Sequence, residues 1–330
     1  MTTYEVHSKD AVDAAEFDAV ELAMTELATA EIAAFTQRAY RALDIPYRYG
    51  STLDEIETAL REECPEFVVL AREDGALVGW AGLYHWTDSM AYFMSWHPLV
   101  IPPDPDIAQQ LVRRCIQYTQ SSGRDRMEVF LMNLTDEHRA HAAACGEIYR
   151  AAGMERGYEW AFMEADLIRL DFSVREIPDT MCIRSLTEVP NDVLWPSYDA
   201  AFSSGGDRRY ENQSEAQRHE NFESFFSREV PIDEDASIVL FDGEQIIGFV
   251  KIDIVTDGTY VHGIGVVPDY RRQGFGKFIL GTSLRRAAAN KRGKMVLEVD
   301  IENRAAIGLY SSLGFKTVKG SISYIWQAAT

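Results

Sequence analysis

The feature that most constrains this chain is an internal repeat. Two short segments of the first half return in the same order in the second half: Leu77-Val78-Gly79 matches Ile246-Ile247-Gly248, and Ile148 to Met154 matches Leu309 to Phe315. Self-similarity over about half of a chain is typical of a duplicated domain. The length of 330 residues also exceeds what a single hydrophobic core usually supports. We therefore predict two domains of related structure.

The two halves also show the same order of elements. Each has a strand, helical segments, a hairpin of two apolar strands, a further strand, a helix, a strand, a helix and a closing strand. This alternation predicts an α/β (α+β) chain. We place the domains at residues 1–170 and 180–330, with a linker near residues 170–179.

Composition limits the classes of partner. Hydrophobic residues make up 46% of the chain and charged residues 25%, which is typical of a soluble globular protein. The net charge of −20 argues against nucleic acid as a partner. No apolar run has the length that crosses a bilayer, so we expect no membrane partner. The four cysteines form no Cys-x-x-Cys pair and the first residues do not resemble a signal peptide, which together predict a cytoplasmic protein.

A glycine turn in the second half is the main candidate for a binding site. An apolar strand ends at Pro268-Asp269 and is followed by Arg271-Arg272-Gln273-Gly274-Phe275-Gly276-Lys277 and a helix. The glycines allow a ligand to approach the backbone, and the free amides at the helix start attract anions. The turn therefore predicts a phosphate site. Its alternative is an ordinary strand–turn–helix junction whose basic side chains face solvent.

Other nucleotide and catalytic motifs are missing. The turn has neither the Gly-x-Gly-x-x-Gly spacing of a dinucleotide site nor the Lys-Ser/Thr ending of a P-loop. The chain also lacks His-x-x-x-His, Cys-x-x-Cys and Gly-x-Ser-x-Gly patterns, so neither a metal site nor a serine hydrolase is predicted.

Two motifs in series resemble the GNAT acetyltransferase superfamily. The first is Arg-x-x-Gly-x-Gly at Arg271, Gly274 and Gly276. The second is the Asn-x-x-Ala-x-x-x-Tyr element at Asn303, Ala306 and Tyr310, followed by Gly314 and Phe315. Together they cover most of residues 181–330. The duplication, the length and the strand Thr259 to Val266 are also similar to the tandem acetyltransferases typified by mycothiol synthase.

The resemblance implies a fold and an activity. It implies two tandem GNAT-fold domains, each with a mixed, mostly antiparallel central sheet flanked by helices. The activity would be transfer of an acetyl group from acetyl-CoA to a primary amine of a small molecule, by direct attack in a ternary complex and without a metal. Alternatives are acetylation of a protein amino terminus or lysine, and a non-catalytic acyl-CoA-binding sensor or scaffold. For the oligomeric state we expect a monomer or a homodimer.

The resemblance also implies how the cofactor is held. The turn's amides would bind the pyrophosphate, and the strand before it would bind the pantetheine arm through main-chain hydrogen bonds, where two strands splay apart. The Val266 N–H would polarise the thioester carbonyl. The predicted cofactor-binding residues are Ile264, Val266, Val267, Arg271, Arg272, Gln273, Gly274, Phe275, Gly276, Lys277 and Asn303. Asn303 has an alternative role as the cap of the helix that follows it.

Two residues are predicted to be catalytic. Tyr310 matches the family's general acid, although a packing aromatic is the alternative. His262 has a suitable unperturbed pKa for the general base, and strand alternation predicts that it shares a face with Ile264 and Val266. A satisfied core histidine is the alternative. The other candidates for the base are Asp253, Asp300, Glu298 and a water chain.

The first half does not keep the glycine turn. At the corresponding position it has Trp96 to Asp106, which contains four prolines and no glycine. Prolines remove backbone donors, and Asp104 and Asp106 would repel a pyrophosphate. We therefore predict that residues 1–170 form a degenerate, non-catalytic copy and that residues 180–330 form the catalytic domain.

Overall fold

The chain forms two compact units. The computed structural model describes residues 2–8, 26–46, 50–63, 65–85, 90–206, 208–225, 231–256 and 258–328. Unit 1 comprises Met1–Glu159 with Gly320–Thr330, and unit 2 comprises Trp160–Lys319. No helix among the described residues is long and apolar enough to cross a membrane.

The helices and strands follow the predicted order. The first half contains β1 (Thr2–Ser8), α1 (Glu26–Leu43), α2 (Leu53–Glu63), β2 (Phe67–Glu73), β3 (Ala76–His85), β4 (Met90–Phe93), β5 (Leu99–Val100), α3 (Pro105–Ser121), β6 (Arg126–Leu134), α4 (Arg139–Ala151) and β7 (Glu155–Asp166). The second half contains β8 (Met181–Ser185), α5 (Asn191–Phe202), α6 (Arg208–Glu211), α7 (Glu215–Phe225), β9 (Ile238–Asp242), β10 (Gln245–Val255), β11 (Gly258–Val266), α8 (Phe275–Ala289), β12 (Lys294–Asp300), α9 (Arg304–Ser311) and β13 (Lys316–Gln327).

Each unit has a mixed sheet in which antiparallel pairs dominate. In unit 1 the pairs β1–β2, β2–β3 and β3–β4 are antiparallel and β4–β6 is parallel. In unit 2 the pairs β8–β9, β9–β10 and β10–β11 are antiparallel and β11–β12 is parallel. Helices α5 and α8 both contact β10, so this strand is buried along most of its length. The predicted fold class is confirmed.

The closing strands do not stay with the halves that precede them. Residues Trp160 to Asp166 of β7 pair antiparallel with β12 in unit 2, and residues Gly320 to Gln327 of β13 pair antiparallel with β6 in unit 1. The unit boundaries therefore differ from the domain ends that the sequence placed at residues 170 and 330. Main-chain pairing sets this difference, because strand ladders form between backbone groups irrespective of which half supplies them.

Candidate functional site

The site of unit 2 lies where two parallel strands separate. β11 pairs with β12 only at Thr259 with Met295 and at Tyr260 with Val296, while its pairing with β10 continues to Val266. A cavity of ≈ 350 Å³ lies along the separated part. An extended ligand can therefore bond to the β11 backbone edge that β12 leaves unpaired.

Most predicted site residues line this cavity, and the others do not. The lining includes His262, Ile264, Val266, Arg271, Arg272, Gly276, Asn303 and Tyr310, together with Glu298 and Asp300 of β12. Val267 instead donates its backbone N–H to the Ile247 carbonyl at 3.1 Å. Phe275 is buried in the core. Gln273, Gly274 and Lys277 lie in the turn and first helical turn beside the cavity without lining it.

The glycine turn presents an open helix N-terminus. Gly274 is the N-cap of α8 and has a φ of 87°, a left-handed conformation that favours glycine. As a glycine, this cap residue has no side chain to bond the first-turn amides of the helix. An added Cβ at Gly276 would lie 3.3 Å from Leu309 Cδ2, so the wall beside this position is close. The amides and the positive end of the helix dipole are thus available to an anion.

The corresponding helix of unit 1 is already occupied by its own carboxylate. Asp104 is the N-cap of α3, and its Oδ1 accepts hydrogen bonds from the N–H groups of Asp106 at 2.9 Å and Ile107 at 3.1 Å. A second acidic side chain, Asp106, stands in the first turn. This helix start therefore neither offers these two amides nor tolerates a further negative charge.

The strand split of unit 1 is also bridged by side chains. β4 and β6 pair from Met90 to Phe93 and then separate. Beyond that point Ser95 Oγ donates to the Phe130 carbonyl at 2.6 Å, and Trp96 Nε1 donates to the Met132 carbonyl at 2.8 Å. Trp96 is 2% exposed, so its indole fills the space that the parting strands create.

Arg271 holds the turn against α5. Its Nε donates to the Val266 carbonyl at 2.9 Å, and its two terminal nitrogens donate to the carbonyls of Ser204 at 2.5 Å and Ala201 at 2.9 Å. Burial lowers the pKa of this guanidinium. Arg271 is therefore engaged with the backbone at the end of a helix, where a cation is favoured. Arg272, the next residue of the turn, is exposed, has a φ of 60° and also lines the cavity.

His262 belongs to a cluster of three titratable side chains. Its Nδ1 lies 2.6 Å from Asp253 Oδ2, and Lys251 Nζ lies 2.9 Å from Asp253 Oδ1. Lys251 and Asp253 are 1% and 2% exposed, whereas the His262 side chain is 38% exposed. Burial raises the pKa of Asp253, but the hydrogen bonds from His262 and Lys251 outweigh it and hold that pKa below its usual value. An ionised Asp253 favours a hydrogen on Nδ1, and in the neutral ring that tautomer leaves Nε2 as the acceptor.

A β-bulge changes the face that His262 occupies. In the β10–β11 ladder Lys251 is paired with Gly263, and the next residue, Ile252, is paired with Val261. His262 is therefore the extra, unpaired residue of a β-bulge. Its ring packs against Phe225 at 4.8 Å, in the aromatic cluster under α5 and α7. Ile264 and Val266 pack instead against the core under α8 and α9. The prediction that all three share a face is therefore wrong, because the bulge interrupts the alternation.

The sequence contained a signal for this cluster that was missed. Lys251 and Asp253 stand two residues apart in the otherwise apolar stretch Ile246 to Ile254. Charged residues in such a strand are rarely buried unless they are paired, and residues two apart share a face. Their mutual ion pair could have been predicted. Its third member, His262, depends on the bulge and could not.

Tyr310 lies on α9 with its side chain 7% exposed, and it lines the cavity. Its ring centroid is 5.9 Å from that of Phe315. Tyr149 of α4 is the corresponding residue in unit 1. It is fully buried, its hydroxyl donates to the His97 carbonyl at 2.5 Å, and burial raises its pKa well above the usual value. Of the two tyrosines, Tyr310 therefore faces a cavity and Tyr149 is bonded within the core.

Three polar residues near the β12 end have distinct partners. Asn303 caps α9, with Oδ1 accepting from the Ala306 N–H at 3.1 Å and Nδ2 donating to the Gly205 carbonyl at 3.2 Å. The structure thus shows the capping role of Asn303. Asp300 accepts two hydrogen bonds from Arg208, at 2.8 and 2.9 Å. Desolvation raises the pKa of Glu298, and Lys319 opposes that shift.

No group of three or more His, Cys, Asp or Glu side chains suited to a metal occurs among the residues that the structure describes. The cavity wall offers groups for hydrogen bonding and proton transfer. It combines an open backbone edge, an uncapped helix start, a histidine with an acceptor nitrogen, a glutamate with a raised pKa and a tyrosine hydroxyl.

Comparisons with known proteins agree with this geometry. Residues 194–315 match the model of the Acetyltransferase (GNAT) family. The chain is 26% identical over 190 residues to mycothiol acetyltransferase of Streptomyces scabiei, a match that spans 59% of that protein's length. It is 24% identical over 328 residues to mycothiol acetyltransferase of Streptomyces griseus, covering 97% of this chain and 95% of that protein. It is 37% identical over 71 residues to [ribosomal protein bS18]-alanine N-acetyltransferase of Escherichia coli K12, covering 22% of this chain and 48% of that protein.

Solved structures extend the likeness of fold to both units. A GCN5-related N-acetyltransferase from Sphaerobacter thermophilus has a TM-score of 0.61 at 14% identity and covers 92% of this chain and 93% of its own. A tandem GNAT protein from the clavulanic acid biosynthesis pathway has a TM-score of 0.52 at 14% identity and covers 100% of this chain and 99% of its own. Residues 194–315 thus form a domain of the GNAT acetyltransferase family, within a chain that has the fold of tandem GNAT proteins.

Proposed function

We propose that this chain is an acetyl-CoA-dependent N-acetyltransferase that acts on a primary amine of a small molecule through the cavity of unit 2. The observation that carries the proposal is the alignment of an unpaired β11 edge with the uncapped start of α8. The matches to mycothiol acetyltransferases support a small-molecule acceptor. The cytoplasmic location and the oligomeric state stay predictions.

The residues present fit acetyl-CoA. Gly274 and Gly276 leave the first-turn amides of α8 accessible, and Arg272 adds a positive charge at the cavity wall. The backbone of Ile264 and Val266 borders the unpaired edge and would hold an extended arm by main-chain hydrogen bonds. When bound there, acetyl-CoA supplies an activated acetyl group. The Val266 N–H would orient and polarise its carbonyl.

Tyr310 would supply the proton for the departing thiolate. Tyr310 lines the same cavity as the β11 edge, and a phenol is a proton donor at neutral pH. Tyr149 cannot serve in this way in unit 1, because its hydroxyl is bonded to a core carbonyl. The cavity beside Tyr310 and the burial of Tyr149 support the assignment of unit 2 as the catalytic unit and of unit 1 as a degenerate copy.

His262 would remove the proton from the acceptor amine. Asp253 holds its Nδ1, which leaves Nε2 as the acceptor on a half-exposed ring that lines the cavity. Asp253 and Asp300 are unsuitable as direct bases, because each is already engaged by a cation. Glu298 is the alternative base, since its raised pKa moves its proton affinity toward the working range.

The function is tested by thiol release from acetyl-CoA across a panel of acceptors. The panel contains cysteinyl-glucosaminyl-inositol, polyamines, aminoglycosides and an alanine-ended peptide. Turnover with a small amine supports the proposal. Binding of acetyl-CoA without turnover of any acceptor would favour the sensor alternative and contradict the enzyme.

A peptide acceptor is the second candidate. The match to the ribosomal-protein alanine N-acetyltransferase is the observation that favours it. Turnover confined to the alanine-ended peptide would replace the small-molecule proposal with this one.

The identity of the general base is tested in the same assay by comparing the pH profiles of H262Q and E298Q.

A further inference from the structure

A basic side chain from outside both motifs contacts the glycine turn. Arg175 lies in the segment between β7 and β8. Its Nη1 donates to the Gln273 carbonyl at 2.5 Å, its Nε donates to the Glu176 carbonyl at 3.2 Å, and its guanidinium lies 4.8 Å from the centre of the Phe275 ring. These contacts hold an arginine against the turn just before α8.

The segment that carries Arg175 is fixed along α8. Phe172 and Val174 pack against Gly281, where an added Cβ would lie 3.0 Å from Phe172 Cε2. Arg285 of α8 donates to the Phe172 carbonyl at 3.3 Å and lies over the Phe172 ring. The position of Arg175 is therefore set by packing on the same helix whose start forms the candidate phosphate site.

The hydrogen bond from Arg175 sets the orientation of one peptide group. In a planar trans peptide the carbonyl of Gln273 and the N–H of Gly274 point in opposite directions. A cationic donor on that carbonyl therefore turns the Gly274 N–H away from Arg175 and strengthens it as a donor. The restraint matters because Gly274, with a φ of 87°, is conformationally free and has no side chain of its own to fix the turn.

We propose that Arg175 is a positioning residue for the phosphate part of an acyl-CoA. It orients the Gln273–Gly274 peptide and adds positive charge to a turn in which Arg271 is engaged with backbone carbonyls. This inference rests on the proposed function, because it assumes that the turn binds the pyrophosphate. It further assigns the role to the phosphates and not to the pantetheine arm, which would lie along β11.

The test compares a ligand that has phosphates with one that lacks them. Calorimetry measures CoA and pantetheine binding to wild type, R175A and R175K, and steady-state kinetics use acetyl-CoA and acetyl-pantetheine. The matched control is R285A, which removes another arginine that contacts the same segment through a carbonyl and a ring. Thermal unfolding confirms that each variant is folded.

We expect R175A to weaken CoA binding about tenfold, on the order of one charge-assisted hydrogen bond. The KM for acetyl-CoA should rise by a similar factor with kcat unchanged, while the values for the pantetheine ligands stay at the wild-type level. R175K should recover most of the loss, because it keeps a donor and a charge, and R285A should match wild type.

Three results would overturn the inference. They are wild-type CoA affinity in R175A, an equal loss for CoA and pantetheine, and a loss in R285A as large as that in R175A. If R175A does not fold, R175K and R175Q decide the matter, with R175Q expected to lose CoA affinity and R175K to keep it. A wild-type protein that binds no CoA would instead contradict the proposed function, so the two failures are distinguishable.

Discussion

Gly276→Asp should separate the stability of unit 2 from its affinity for CoA. Gly276 is the second residue of α8, and Asp106 holds the same position in α3 of unit 1. The substitution therefore gives the open helix start one of the two acidic residues found at its counterpart. The variant tests whether an acidic residue at this position is what prevents a helix start from binding an anion.

The effect on folding should be small or favourable. A carboxylate in the first turn of a helix contributes about 0.3–1 kcal/mol, and the replacement of glycine adds a few tenths of a kcal/mol in helix propensity. The added Cβ would approach Leu309 Cδ2 at 3.3 Å, which offsets part of this gain. We expect the free energy of unfolding to stay equal or to rise by up to about 1 kcal/mol.

The effect on CoA should be large and of opposite sign. Two unit charges about 5 Å apart repel by roughly 0.8 kcal/mol in water and roughly 3 kcal/mol near a protein surface. Two phosphate charges double the lower of these values to roughly 1.7 kcal/mol, so the Kd for CoA should rise by at least about 15-fold. Calorimetry measures the Kd, and urea denaturation measures the stability.

Two controls separate charge from shape. Gly276→Asn has nearly the same volume without the charge, and we expect it to lose far less affinity than the aspartate. Added salt should reduce the difference in Kd for CoA between the aspartate and asparagine variants, because it screens the charge repulsion. Wild-type affinity in the aspartate variant, or equal losses in both variants, would refute the reasoning.

The remaining predictions concern four residues. Gly274→Ala should lower the free energy of unfolding by about 1 kcal/mol in urea denaturation, because its φ of 87° is unfavourable for a residue with a Cβ. Tyr310→Phe should lower kcat by about a hundredfold at an unchanged KM for acetyl-CoA, as expected for loss of a proton donor, and a wild-type rate across pH would contradict that role. The folded-state pKa of Glu298 is raised, so the wild type should lose stability as pH rises through that pKa, and urea midpoints across pH should show a weaker loss in Glu298→Gln. Asp104→Ala should cost unit 1 about 1 kcal/mol through loss of its helix cap, while calorimetry still gives one CoA per chain.

The sequence was sufficient for the elements that depend on local pattern. The repeat predicted two related domains, and the apolar periodicities predicted the order of strands and helices, because these patterns reflect which face of each element is buried. The left-handed conformation in the turn was likewise predictable from its glycines. A residue without a Cβ adopts the φ found at Gly274 more readily than any other residue.

The pairing of strands and the partners of individual side chains were decided by tertiary structure. Nothing in the local sequence shows that β7 completes the sheet of unit 2 and β13 that of unit 1, because backbone pairing carries little side-chain information. The partners of Arg271 and Asn303 likewise come from the fold, because the carbonyls of Ser204 and Gly205 that they contact lie far away in the chain.

The candidate site itself is divided between these two sources. Sequence alone located the glycine turn, His262 and Tyr310, because each belongs to a short motif or a strand pattern. Only the fold showed that a bulge turns His262 toward Asp253, and that Arg175 reaches the turn from a distant segment. Both contacts join residues far apart in the chain or out of phase with strand alternation, and such contacts exist only once the strands and helices have packed.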